Sequence, residues 1–144
     1  MSTRAMTFEG GKQQSKALPV TLWAAQVLLA LAFGVAGWMK VSTPLVELVK
    51  SMPDMAAMSG GLVRFIGIAE LAGAIGLLLP SLTRIAPDLT PLAAIGLATI
   101  MVLATLFHIS RGEFSAISVT LTLGALAVFV AWGRTRRAPI LARS

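Results

Sequence analysis

Four long apolar stretches, separated by short polar segments, constrain this chain more than any other feature of its sequence. They cover about residues 19–39, 62–79, 91–110 and 115–132. Each is close to the roughly 20 residues that an α-helix needs to cross a bilayer. Helices are favoured because the bilayer core holds no water to satisfy the backbone polar groups. The sequence therefore predicts an all-α fold, an integral membrane four-helix bundle in contact with the lipid bilayer.

The composition supports this class and excludes several functions. Apolar residues make up 56% of the chain and charged residues only 12%, whereas soluble domains carry about 25% charged residues. The lack of cysteine excludes thiolate metal ligands, disulfide exchange and covalent c-type haem within this chain, and a single histidine excludes a bis-histidine haem. We expect no metal site, no required cofactor and, despite the net charge of +6, no nucleic-acid partner.

The polar segments predict the organisation of the chain. We expect a disordered tail over residues 1–17, the membrane domain over 18–134, and a basic tail over 135–144. The longest connection, residues 41–61, predicts a short helix in the membrane interface, with Leu45, Leu48 and Val49 on one side and Glu47 and Lys50 on the other. Pro53 interrupts this segment.

The distribution of basic residues predicts the orientation in the membrane. Eight lie in the two tails and the second loop, and four lie on the opposite side. The positive-inside rule then places both termini in the cytoplasm. The basic residues are expected to mark topology and to contact anionic lipids.

Ionisable side chains within the apolar stretches are the first candidates for a functional site. Glu70 lies inside the second stretch, where an unpaired carboxylate costs about 3 kcal/mol. The predicted topology gathers six ionisable residues at one end of the bundle: Lys40, Arg64, Glu70, His108, Arg111 and Glu113. The other half has almost no ionisable group. This asymmetry predicts an outward-facing polar pocket with Glu70 at its floor, and Gln26 is a further candidate nearer mid-membrane.

Each of these residues also has a purely structural interpretation. Glu70 could pair with a neighbouring helix, His108 could close a helix end, and Gln26 could bond between helices. Lys40, Arg64 and Arg111 could be anchors that extend to the headgroups. Pairs of small residues four apart on the second stretch, such as Ala69 and Gly73, indicate close helix packing. Met52, Met55 and Met58 are interpreted as apolar residues of the interface rather than copper ligands, since Pro53 breaks their helix.

Four short motifs resemble those of the DoxX-like family of bacterial membrane proteins. They are F-x3-G-x2-K, R-x2-G-x2-E, G-L-L-L-P and H-x2-R-G-E, which begin at Phe33, Arg64, Gly76 and His108. The resemblance extends from about Trp23 to Arg134. It implies a four-helix bundle in the bacterial plasma membrane, and it implies recurrent polar positions at Lys40, Arg64, Glu70, His108 and Glu113. Some members of the family resemble subunits of a thiosulfate:quinone oxidoreductase, others resemble membrane partners of redox or thiol-handling enzymes, and a eukaryotic branch resembles receptor-assembly chaperones.

These features together predict an accessory subunit that supports membrane redox chemistry and is not an enzyme on its own. Its polar pocket is expected to bind a quinone or a similar amphipathic molecule, because a carboxyl and an imidazole can exchange protons with a quinone. If sulfur is handled, a redox-enzyme partner must do it. Two alternatives stay open: a non-catalytic assembly or scaffolding subunit, and a small transporter for a hydrophobic solute, which would be a homo-oligomer. No catalytic residue is assigned.

Overall fold

Long helices account for most of the chain in the computed structural model, which describes residues 15–144. The helices are α1 (Ala17–Ser42), α2 (Leu45–Ser51), α3 (Gly60–Thr83), α4 (Leu89–Arg111) and α5 (Phe114–Trp132). A 3₁₀ turn (Pro53–Ala57) follows α2, and a π-helical turn (Gly133–Arg137) extends α5. All but α2 are long and apolar enough to cross a membrane. The predicted all-α membrane bundle is confirmed.

The four long helices run antiparallel to their neighbours. Gln26 of α1 contacts Leu77 of α3, Ser81 of α3 contacts Thr90 of α4, and Thr105 of α4 contacts Thr120 of α5. A buried core of large side chains fills the space between the helices, and it includes Leu29, Phe33, Leu77, Leu97 and Val130. Many other large apolar side chains are exposed on the outer surface, as a protein surrounded by lipid requires.

Two glycines set the closest approach of α1 and α3. A Cβ added at Gly37 would lie 2.8 Å from the backbone oxygen of Gly67, and one added at Gly67 would lie 2.7 Å from Cβ of Lys40. Lipid does not drive helices together as water does, so close backbone contact of this kind supplies much of the packing energy. This crossing brings the last turn of α1 beside the first half of α3.

The connection between α1 and α3 contains the predicted short helix, α2. Leu48 is fully buried, whereas Glu47 and Lys50 are exposed. Leu48 forms a small core with Met55 and Val63, and Met52 and Met58 pack around it. The methionines therefore serve as apolar packing in this connection.

Two helix boundaries differ from the sequence prediction, and most of one predicted tail lies outside the described residues. Residues 1–14 of the predicted tail are outside the described residues, and α1 begins at Ala17. Helix α3 passes through Pro80 to Thr83 rather than stopping, because a proline in the last turn removes only one hydrogen bond. At the other end of the chain, the amide of Arg143 donates to the carbonyl of Arg84, and Nε of Arg84 donates to the carbonyl of Leu141.

Candidate functional site

A buried ion pair joins α1 to α3. The ammonium of Lys40 lies 2.8 Å from Oε2 of Glu70, and the two residues are only 7% and 3% exposed. Glu70 belongs to the face of α3 that also buries Val63, Gly67 and Leu77. Lys40 is therefore not an anchor that extends to the headgroups. Its side chain turns into the bundle, because the buried carboxylate needs a counter-ion.

Arg64 completes this group, which we call the Lys40 group (Lys40, Arg64 and Glu70). Its Nη1 donates a hydrogen bond to the backbone carbonyl of Lys40. That carbonyl lies in the last turn of α1, where carbonyls lack partners within the helix. A cation there also interacts favourably with the helix dipole. The arginine thus fixes the end of α1 over the start of α3.

A second polar group closes the C-terminal end of α4, and we call it the His108 group (His108, Arg111 and Glu113). Nδ1 of His108 lies 2.6 Å from Oε2 of Glu113, and Nε of Arg111 donates to Oε1 at 2.7 Å. Gly112 makes the tight turn, with φ of 68°. The hydrogen bonds from His108 and then Arg111 lower the pKa of the Glu113 carboxyl.

The His108 and Lys40 groups occupy different helix pairs, and Glu70 lies at a different depth from His108. The contacts of Gly73 with Leu97 and of Ser81 with Thr90 place Glu70 level with about Ile100 of α4. His108 is eight residues further along α4, which corresponds to about 12 Å. The six ionisable residues that were predicted to line one pocket therefore form two separate groups, each of which pairs its acid with a base.

Gln26 belongs to a third group, at the opposite end of the bundle. Its Nε2 donates to the carbonyl of Leu77 at 2.7 Å and to Oγ of Ser81 at 3.1 Å. Its Oε1 accepts from Nε of Arg134 at 2.6 Å. Ser81 in turn lies 2.8 Å from Oγ1 of Thr90. Gln26 is fourteen residues from Lys40, or about 21 Å along α1, and so cannot share a pocket with Glu70.

The burial of Arg134 places one ionisable group in a half of the bundle that was expected to have almost none. Arg134 is only 5% exposed, although the sequence places it at the border of the basic tail. One signal could have identified it. Ala127, Val130 and Arg134 follow the spacing of three and four residues that marks one helix face, and Ala127 and Val130 are buried. The π-helical turn continues that face into the bundle.

Two grooves of about 380 and 390 Å³ open on the outside of α3. The first lies between α3 and α4, and Gly73, Gly76, Ala93 and Gly96 are among its lining residues. The second lies between α1 and α3 and is lined by alanine, glycine, leucine and isoleucine side chains. Neither groove is lined by a residue of the three polar groups. Both therefore offer apolar surface to the bilayer.

Low pH should weaken the stabilising interactions within the His108 group. The folded-state pKa of Glu113 is lowered, so its charge stabilises the fold above the ordinary glutamate pKa of about 4.3, and this contribution is lost as the pH falls through the lower folded value. Glu113→Gln is expected to lower the melting temperature slightly at pH 7 and to have a smaller effect at about pH 3. The control is Glu47→Gln, which alters an exposed residue of α2. An equal effect of Glu113→Gln at both pH values would contradict this assignment.

The antiparallel apolar helices and the polar groups near their ends define a multi-pass integral membrane protein. A comparison with protein families identifies it more closely: the sequence model of the DoxX-like family matches residues 24–130. The chain belongs to the DoxX-like family. Comparisons with curated proteins and with solved structures found no match.

Proposed function

We propose that this protein is an accessory subunit that assembles with another membrane protein and performs no chemistry of its own. The observation that carries this proposal is the pairing of its polar side chains with one another. Glu70 pairs with Lys40, Glu113 with His108 and Arg111, and Gln26 with Ser81 and Arg134. Polar residues inside membrane bundles commonly bond across helices in this way, and we infer that these pairs serve the packing of the bundle.

The groove between α3 and α4 supports assembly with a partner helix. Small residues line it on both sides, with Ala69, Ala72, Gly73 and Gly76 on α3 and Ala93 and Gly96 on α4. Small residues allow the backbone of another transmembrane helix to approach closely. The groove has no polar side chain for the headgroup of an amphipathic ligand. Its lining therefore favours an apolar helix over a quinone as the occupant.

A quinone or similar amphipathic ligand is the second candidate, and the Lys40 group favours it. Glu70 is an ionisable group within a membrane-spanning helix, and such groups commonly serve proton transfer. Among the described residues, Oε2 of Glu70 is the carboxylate oxygen that accepts a hydrogen bond from Lys40. Oε1 is left to accept one from a ligand hydroxyl. Some members of the DoxX-like family resemble subunits of a thiosulfate:quinone oxidoreductase, so we propose a redox enzyme as the partner in either case.

We further propose the bacterial plasma membrane as the location, with both termini in the cytoplasm. Within residues 15–144, the end of the bundle that contains Gln26 carries six basic residues and one acidic residue. The end that contains Lys40 carries four of each. An excess of lysine and arginine is the signature of the cytoplasmic side.

Native mass spectrometry of the tagged protein, gently extracted from its own membranes, tests the assembly role. The wild type is expected to retain a stoichiometric protein subunit. Gly96→Leu should abolish this retention because it fills the groove, while no atom lies within 4 Å of a Cβ at that position to disturb the fold. The matched control is Gly61→Leu, which is equally free of neighbours but lies at the start of α3, outside the groove.

The retained mass distinguishes the candidate functions. A protein subunit that is lost from Gly96→Leu but kept by Gly61→Leu supports the assembly role. A retained quinone without a protein subunit would overturn it and establish the second candidate. A second copy of the chain would instead favour the transporter alternative. A bare chain in every sample would contradict an accessory role.

A further inference from the structure

The guanidinium of Arg134 is buried among neutral groups. Its Nε donates to Oε1 of Gln26, and its Nη1 donates to the carbonyl of Ala138 at 3.2 Å. The ring of Trp23 lies against it, with 5.3 Å between the guanidinium carbon and the ring centroid. None of these partners is an anion. The positive charge of Arg134 thus has no counter-ion among residues 15–144.

The third nitrogen, Nη2, has no hydrogen-bond partner at all. It is the one buried side-chain nitrogen or oxygen atom without a partner in the part of the chain that the structure describes. A buried donor without an acceptor is unfavourable, and more so when it is charged. Such a group normally indicates that water, an ion or a ligand completes the site. Here the missing partner must accept hydrogen bonds from a cation.

The surroundings of Arg134 attract anions. Among residues 15–144, the six basic residues at this end of the bundle, Arg134 included, are opposed only by Asp88, which is exposed. Arg137 lies over the ring of Trp132, with 5.7 Å between the guanidinium carbon and the ring centroid. Tryptophan and arginine side chains at the ends of membrane helices occupy the headgroup region. This is the depth at which the phosphates of lipids lie.

We propose that Arg134 anchors a binding site for the phosphate of an anionic membrane lipid. A guanidinium offers a planar fork of donors that matches the oxygens of a phosphate. The phosphate would accept the hydrogen bond from Nη2 and supply the missing negative charge. Gln26 holds the guanidinium through Nε, and Trp23 supports its face, so the fork is positioned before the lipid binds.

The C-terminal segment, residues 138–144, begins beside this site. It has no helix, and its first residue contacts Arg134 through the carbonyl of Ala138. Two hydrogen bonds to the exposed Arg84 hold its other end. Because few contacts hold the segment, it can move aside for a headgroup at little cost.

The test is native mass spectrometry of the purified chain with phosphatidylglycerol or phosphatidylcholine in detergent. The wild type is expected to retain one phosphatidylglycerol that phosphatidylcholine does not replace. Arg134→Gln should weaken this binding about tenfold, which corresponds to the loss of one charge-assisted hydrogen bond. The matched control is Arg136→Gln, which removes the same charge from an exposed residue at the same end and should leave the retained lipid in place. Circular dichroism verifies that each variant is folded. If Arg134→Gln does not fold, Arg134→Lys replaces it, because lysine keeps the charge but lacks the fork of donors.

Several outcomes would overturn the proposal. Equal lipid loss in the variants of Arg134 and Arg136 would indicate diffuse attraction to the basic surface. Equal retention of both lipids would exclude recognition of an anion. If inorganic phosphate raised the melting temperature as much as phosphatidylglycerol, the occupant would be a free anion. Glu9, which lies outside the described residues, is the rival candidate for the counter-ion of Arg134. If the lipid phosphate fills that role instead, Glu9→Gln should leave the retained lipid unchanged.

Discussion

Replacing Lys40 with methionine is expected to destabilise the bundle by about 3 kcal/mol. The substitution leaves the Glu70 carboxylate buried without a counter-ion, and removal of one member of a buried ion pair is strongly unfavourable. The apolar stem of methionine fills most of the space of the lysine, so loss of packing contributes little. The measurement is the free energy of unfolding by SDS titration in mixed micelles. Lys50→Met is the control, because Lys50 is exposed on α2.

The double variant Lys40→Met, Glu70→Leu separates the pairing from the packing. It removes both charges, and replacing a buried ion pair with apolar residues of similar volume is often neutral. We therefore expect the double variant to recover most of the stability that Lys40→Met loses. If the double variant were as unstable as the sum of its single variants, the charges would not be coupled. If Lys40→Met were as stable as the wild type, the pair would have no structural role.

Placing a methyl group at the crossing of α1 and α3 is expected to have the second-largest effect. In Gly37→Ala the new Cβ would lie 2.8 Å from the carbonyl oxygen of Gly67, which is backbone and cannot rotate away. The helices must separate, at a cost of about 1–3 kcal/mol for overpacking. The same SDS titration measures the loss of stability.

Gly96→Ala is the matched control for this crossing. Gly96 is also helical, but no atom lies within 4 Å of a Cβ there. Alanine is the better helix former, so the control should be neutral or more stable by up to about 1 kcal/mol. An equal loss of stability in Gly37→Ala and Gly96→Ala would show that the crossing is not specifically close. Separation of α1 from α3 should also weaken the ion pair, so Gly37→Ala and Lys40→Met are expected not to be additive.

Much of the fold could be predicted because lipid imposes simple rules on a sequence. The four apolar stretches required helices, and the alternation of Leu48 with Glu47 and Lys50 predicted which side of α2 is buried. Pro80 was misleading because the loss of one backbone hydrogen bond at a proline need not end a helix, and α3 continues to Thr83. The family motifs could also be identified from the sequence, because each lies within one continuous segment of the chain.

The candidate site was less predictable, because it depends on which side chains meet. Topology alone indicated that Lys40, Glu70 and His108 lie toward one end of the bundle. It did not indicate that Lys40 turns inward, or that His108 pairs with Glu113 within its own helix end. Those choices depend on helix rotation and register. Both are set by local fits such as the contact of Gly37 with Gly67.

The sequence by itself therefore determined the class of the protein, its four membrane helices and its family, because hydrophobic length and short motifs are properties of continuous segments. Only the tertiary structure decided that the one expected pocket is two separate polar groups, and that Arg134 lies inside the bundle beside Gln26 in a third. The reason is geometric. A residue's position along a helix follows from counting, but its partners follow from how four helices rotate and slide to pack their small residues together.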